Sequence, residues 1–360
     1  MENSKSRGRG LGIGLQIGAV LLALIFSAVI LLLVQAPPLQ AFTTLVRGVL
    51  IDNNGHIYKE GVANTLVAWI PLLLASAGAL VTFTAGLWNI GIEGQIILGG
   101  IFTTWLLRGL QDSSIPGFVI ILLGFVVGMI GGALWAALAG ALKTFGGVNE
   151  IFGGLGLNFV ATALNIWLIF GPWKRPGVAS MSGTSPFPGK LWLSTLPGLR
   201  LSPESLIIAF IGMAVVFVLL NGTYFGLQLK AVGKNPKAAF LMGIPTSRYM
   251  MTAFLICGTF AGLAGAVQVI AVYHRLIPSI SSGYGFLGLL VAMLVNFSPT
   301  WVPLVALFFA ALNIGSIQLP IVMKVDSSLS GVIQGALVLS VLLMDGVRKR
   351  LVGKLAGGSR

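Results

Sequence analysis

From Val62 to Leu107 the chain reads VANTLVAWIPLLLASAGALVTFTAGLWNIGIEGQIILGGIFTTWLL, and Glu93 is its only charged side chain. At about 1.5 Å per residue this stretch is long enough to cross a hydrocarbon core of roughly 30 Å twice. Thr82-Phe83-Thr84-Ala85-Gly86 is the natural place for the turn between the two crossings. The rest of the chain agrees with a polytopic membrane protein: of 360 residues 56% are hydrophobic and only 9% charged, with a mean hydropathy of +0.97. Soluble domains carry about 25% charged residues, so a soluble enzyme, a disordered chain and a secreted disulfide domain are all excluded. Cys257 is the single cysteine. It has no intramolecular partner, and its apolar surroundings read as a core position.

Further charge-free runs follow the same logic: Leu11 to Val34, Ile115 to Leu142, Ile151 to Trp173, Ser205 to Phe225, Tyr249 to Tyr273, Ser281 to Phe297, Trp301 to Pro320 and Leu329 to Met344. The expectation is an all-α transmembrane bundle of about ten spans. The first run follows Lys5, Arg7 and Arg9 and exceeds the length of a signal-peptide core, which reads as an uncleaved anchor. An even number of spans puts both termini on one side. Both are basic, so they are placed in the cytoplasm together with Lys143, Lys230, Lys234, Lys237 and Arg248. The chain then divides into a basic cytoplasmic start (1–10), a transmembrane domain (11–345) and a basic cytoplasmic tail (346–360). Within the domain, a Pro-, Gly- and Ser-rich external loop covers about 174–203, and a cytoplasmic loop covers about 226–248. The net charge of +13 is a topology signal beside anionic lipid rather than a nucleic-acid surface, because the basic residues lie in short connections between apolar runs.

Small residues recur every fourth position at Gly124, Gly128, Gly132, Ala136 and Gly140, and again at Gly258, Gly262 and Ala266. This spacing lets helix backbones approach closely and predicts packing contacts, not ligand sites. The stretch from Gly183 to Lys190 imitates a phosphate loop, but it has five intervening residues, lacks the following Ser or Thr and falls on the predicted outer side. Only His56 and His274 are present, both in predicted outer loops, and no helical metal-ligand pair occurs. No catalytic residue, metal site or cofactor of its own is therefore expected.

Polar groups within the apolar runs are costly and mark either a pathway or a structural device. Glu93 reads as a pathway residue or as a carboxylate that accepts hydrogen bonds to hold a broken helix, with Asn89 and Gln95 as near neighbours. Asn158 and Asn165, seven positions apart, share a helix face. They are candidates for ligand contact or for an interhelical pair.

The segment from Leu229 to Ile244, LKAVGKNPKAAFLMGI, has a construction of its own. Asn235-Pro236 starts a helix, Lys237 to Met242 form a short amphipathic turn and Gly243 ends it. A short capped helix on the cytoplasmic face is a rigid knob for another protein's groove.

Three segments together resemble a known family: Thr82 through Gln95, Val148-Asn149-Glu150-Ile151 with Leu157-Asn158 following, and Ala231 through Ala239 with Gly243-Ile244. The sequence resembles the inner-membrane permeases of bacterial ABC importers for simple sugars and nucleosides, which are related to the branched-chain amino acid permeases. Its details are more similar to the nucleoside branch. Gly283 through Gly288 is also similar to that branch, but Leu287 replaces the usual acidic or small polar residue.

The resemblance implies a transport subunit without an ATPase site of its own, driven by alternating access. Ala231, Gly233, Asn235, Pro236, Lys237, Ala238, Ala239 and Gly243 would form the element that docks on a cytoplasmic ATPase, and ATP and Mg would be bound by that partner. It also implies a second, related permease chain, an external substrate-binding lipoprotein and location in the cell membrane. The substrate pathway would include Trp88, Asn89, Glu93, Gln95, Asn158 and Phe286, amides and aromatics suited to an uncharged nucleoside. A free sugar or a branched-chain amino acid is the alternative cargo, and an ATP-independent secondary transporter is the alternative class.

Overall fold

The computed structural model describes residues 25–50 (without 27, 30, 34 and 36), 56–177, 183–295, 297–323 and the single positions 335, 339, 343, 346 and 347. The elements are helical: α1 (Pro38–Arg47), α2 (Lys59–Thr84), α3 (Ile92–Leu110), α4 (Gly117–Thr144), α5 (Glu150–Phe170), α6 (Pro203–Gly222), α7 (Tyr224–Lys234), α8 (Pro236–Leu241), α9 (Thr246–Val267), α10 (Tyr284–Leu294) and α11 (Val302–Met323). A π-helical stretch, Gln268–Tyr273, extends α9. Among the described residues, six helices are long and apolar enough to cross a membrane: α2, α4, α5, α6, α9 with its extension, and the helix at Pro299–Ile317. The expected first and last spans, Leu11 to Val34 and Leu329 to Met344, and both basic termini lie wholly or largely outside the described residues.

The chain divides into two compact units. In the smaller one, Ala41 and Leu45 of the amphipathic α1 are buried, and Gly315 of α11 lies against the Leu45 carbonyl, where a Cβ would come within 2.6 Å of the oxygen. The larger unit, Leu66–Ala310, carries the remaining features described below.

The centre of the larger unit is built on the small-residue stripes. Gly128 and Gly132 of α4 abut Gly258 and Gly262 of α9, while Gly99 of α3 abuts Gly262 and Gly265 abuts the Ile96 carbonyl. A Cβ at Gly99, Gly132, Gly258, Gly262 or Gly265 would overlap neighbouring backbone, and one at Gly128 would overlap the Thr103 and Ala266 side chains. Close backbone approach gains dispersion contact that lipid cannot compete for, which makes α3, α4 and α9 a tight triad. The helix α3 carries Glu93 and Gln95 in its first turns and is too polar to face lipid, and it is buried along most of its length. By contrast α4, α5 and α6 expose Phe118, Leu122, Phe159, Trp167, Phe210 and Val218, the apolar surface that a bilayer would solvate.

The α2–α3 turn lies slightly later than expected. Thr82 and Thr84 remain helical, and the break covers residues 85–91. Gly86 adopts φ +74°, and the Leu87 N–H donates to the Thr82 carbonyl at 2.9 Å, the arrangement that closes a helix with a left-handed glycine.

The expected span Ser281 to Phe297 is corrected. Its helix is only α10, 11 residues or about 16 Å, roughly half a membrane crossing. Ser282, Gly283 and Phe297 have positive φ, so the apolar run is bounded by left-handed residues that no helix continues through.

Candidate functional site

The start of α10 and the start of α3 meet at Glu93. Its Oε1 accepts the Gly283 N–H at 3.1 Å and its Oε2 accepts the Gly285 N–H at 2.8 Å. The Ser281 hydroxyl and the Phe286 N–H are also directed at the carboxylate. The carboxylate therefore caps the positive end of α10 while sitting in the first turn of α3, favourable positions at two helix N-termini. Gly285 is needed for this approach, since a Cβ there would lie 2.5 Å from Glu93 Oε2 and 2.7 Å from its Cα.

Asn158 of α5 holds the other side of the break. Its Oδ1 accepts the Gly94 N–H at 2.8 Å and its Nδ2 donates to the Ile90 carbonyl at 2.9 Å. Two backbone groups that the interrupted helix would leave unpaired are thus satisfied by one amide. Asn165, two turns on, donates to the Ile277 and Pro278 carbonyls at 3.0 Å each and ties α5 to the segment before α10. Asn89 and Gln95 form a reciprocal amide pair at 3.2 and 3.1 Å across the break, with Asn89 also donating to Cys257 Sγ at 3.2 Å. Both amides are fully buried.

A cavity of about 380 Å³ opens beside this joint. Glu93, Asn158, Thr162, Ser279, Ser281 and Ser282 form its polar wall and Phe286 part of its apolar one. A smaller cavity of about 220 Å³ is wholly apolar and is lined by Phe83, Trp88, Ile90, Phe286 and neighbouring residues. Of the six expected pathway residues, Glu93, Asn158 and Phe286 line the first cavity, and Trp88 and Phe286 line the second. Asn89 and Gln95 line neither and instead satisfy each other behind the wall. The serines at 279, 281 and 282 and Thr162 escaped sequence reasoning because hydroxyls in an apolar run resemble ordinary helix residues.

The segment 224–243 is built as its spacing suggests. The Asn235 side chain accepts the Ala238 N–H at 3.1 Å, Pro236 occupies the first turn of α8 and Gly243 closes it at φ +83°. Ala239 is buried, whereas Phe240, Leu241 and Met242 are 67%, 85% and 81% exposed. Behind this knob Gly233 lies against the break after α2, and a Cβ there would overlap the Thr84 carbonyl and come within 3.0 Å of the Gly86 nitrogen. Val148-Asn149-Glu150 is a helix start: Asn149 caps α5 through the Ile151 N–H at 2.9 Å, and Glu150 pairs with Lys143 at 2.6 Å.

The described part of the loop at about 174–203 is an ordered cap. The Thr184 N–H donates to the Leu276 carbonyl at 2.9 Å, the Leu276 N–H donates to Thr184 Oγ1 at 3.1 Å, and the Phe187 N–H donates to the His274 carbonyl at 2.9 Å. Trp192 stacks on His274 at 4.0 Å and 12°. Two backbone amides of this phosphate-loop imitation, those of Thr184 and Phe187, are thus turned to the segment at 274–276. Burial pushes the His274 imidazole below its ordinary value.

Apolar helices with lipid-facing surfaces, a buried broken helix and a cavity at the break define a multi-pass membrane permease. Residues 61–342 match the family model described as branched-chain amino acid transport system / permease component, and the chain belongs to that family. It is 29% identical over 95% of its length to the glucose ABC transporter permease protein TsgB13 of Haloferax volcanii, covering 90% of that protein. It is 26% identical over 94% of its length to the guanosine ABC transporter permease protein NupP of Bacillus subtilis, covering 94%. It is 27% identical over 83% to the nucleoside ABC transporter permease protein NupB of Lactococcus lactis, covering 82%. The chain is a transport-system permease of that family, located in the plasma membrane.

Proposed function

We propose that this chain is the transmembrane subunit of a nucleoside importer, working by alternating access and powered by a separate cytoplasmic ATPase. The observation that carries the reading is the chemistry of the larger cavity: its wall holds four hydroxyls and one amide, its one carboxylate is engaged by backbone donors, and no Lys, Arg or His lines it. Such a wall suits an uncharged, polyhydroxylated ligand. The guanosine and nucleoside permeases among its relatives support a nucleoside, and the glucose permease keeps a sugar as the second reading.

In this account α8 is the knob that the ATPase receives, through Phe240, Leu241 and Met242 as well as the expected Asn235 to Gly243. ATP and Mg belong to that partner. A second, related permease chain completes the pathway, and an external lipoprotein delivers the ligand. In this account both basic termini are cytoplasmic and about 174–203 lies outside.

Reconstitution tests the assignment. Proteoliposomes holding this chain alone are expected to be inert towards labelled inosine, and those holding the complete importer with ATP to accumulate it. Accumulation by the chain alone would replace the reading with a secondary transporter.

A further inference from the structure

The two cavities at the break differ in chemistry but share one ring. The larger has a hydroxyl-rich side formed by Thr162, Ser279, Ser281 and Ser282, and the smaller has no polar lining at all. Phe286 lines both. Phe286 and Trp88 are 43% and 42% exposed although the neighbouring residues Ile92, Ile96, Leu87 and Leu289 are buried. Phe83 holds the Trp88 ring at 5.3 Å and 88°, which fixes its plane. Two exposed, positioned aromatic rings beside a hydroxyl wall form a surface with one flat apolar half and one hydrogen-bonding half.

We infer that the two cavities form one bipartite transit site for a nucleoside, with the pentose against the hydroxyl wall and the base between Trp88 and Phe286. This rests on the nucleoside reading above and assigns the parts of the ligand to residues. A heterocyclic base offers a π-face to any aromatic ring, so stacking accepts different bases. The pentose hydroxyls meet donors and acceptors: Ser279 is exposed, and Thr162 donates to the Asn158 carbonyl at 2.9 Å, which leaves its oxygen able to accept. A free hexose carries hydroxyls around its whole ring, and the smaller cavity has no polar lining to satisfy them, whereas a base can turn its π-face to it. Glu93 is a positioning residue here. Its hydrogen bonds to residues 283 and 285 hold together the segment that carries both the serine wall and Phe286.

The test is uptake of labelled inosine, 2′-deoxyinosine, ribose and glucose by cells carrying the full importer, with membrane abundance of each variant measured in parallel. Trp88→Leu should lower inosine uptake about tenfold or more, with Trp88→Phe restoring most of it. Ser279→Ala and Thr162→Val together should narrow the preference for inosine over 2′-deoxyinosine by about tenfold. If Trp88→Leu fails to reach the membrane, Phe286→Leu decides in its place. Undiminished inosine uptake in the aromatic variants, or equal losses in Trp88→Leu and Trp88→Phe, would overturn the assignment while leaving a nucleoside importer. Wild-type uptake of glucose or ribose but not inosine would instead remove the nucleoside reading and the bipartite site with it.

Discussion

Gly233, one residue before the end of α7, lies against Gly86, the left-handed residue that ends α2, and neither position has room for a side chain facing the other. The contact joins the segment that carries the α8 knob to the break that carries Trp88 and leads into Glu93. The contact sets α7 directly against the break, without an intervening linker.

Gly233→Ala should separate assembly from transport. The added methyl overlaps the Thr84 carbonyl and forces α7 away from the break, at a cost of about 1–3 kcal/mol for overpacking. The expected result is a lower unfolding temperature in detergent and ATP hydrolysis by the assembled importer that no longer yields proportional uptake. Normal coupling in this variant would show that the contact transmits nothing.

The α8 surface should be needed for partner binding and dispensable for folding. Phe240→Glu with Leu241→Glu, at exposed positions, is expected to abolish co-purification of the ATPase while leaving membrane abundance unchanged. Ala239→Glu behaves differently, because Ala239 is buried and a charge there destabilises the short helix itself. Pull-down and abundance measurements on the same membranes distinguish the two outcomes.

Removing the Glu93 carboxylate should loosen α10. Glu93→Ala leaves the Gly283 and Gly285 N–H groups without their acceptor, about 1–3 kcal/mol for each buried donor. Glu93→Gln keeps one acceptor oxygen and should recover part of the lost thermal stability. Equal unfolding temperatures for wild type and Glu93→Ala would contradict the capping role.

The cap formed by 183–192 should weaken in acid. The folded cap holds His274 below its ordinary value, so it binds a proton less readily than the unfolded loop does. Stability is thus fullest above about 6.5, the ordinary imidazole value, and is lost as pH falls from there through the folded value. Proteolytic nicking in 183–192 should rise between about pH 7.5 and about pH 5.5, and His274→Gln should flatten that dependence. A pH-independent cap in the wild type would refute it.

Much of this architecture was legible from local spacing. The four-residue stripes through Gly132 and Gly262 and the Asn235-Pro236 start with its Gly243 stop depend on neighbours in sequence, and the structure forms them as read. Distant partners were not legible. Ser281 to Phe297 has the apolarity of a span, but its helix begins only at Tyr284, where Glu93, some 190 positions away, supplies the cap. Asn89 and Gln95 read as pathway amides suited to an uncharged ligand, and their reciprocal hydrogen bonds across the break were not legible from spacing. Phe240, Leu241 and Met242 lie in the expected amphipathic turn Lys237 to Met242, but spacing alone did not show that all three are exposed while Ala239 is buried.

The most direct measurement is uptake of labelled inosine by cells with and without this chain, before and after ATP depletion. Uptake that requires both the chain and ATP is the predicted result. Chain-dependent uptake that survives ATP depletion, or a chain-dependent importer that ignores inosine, would contradict the account.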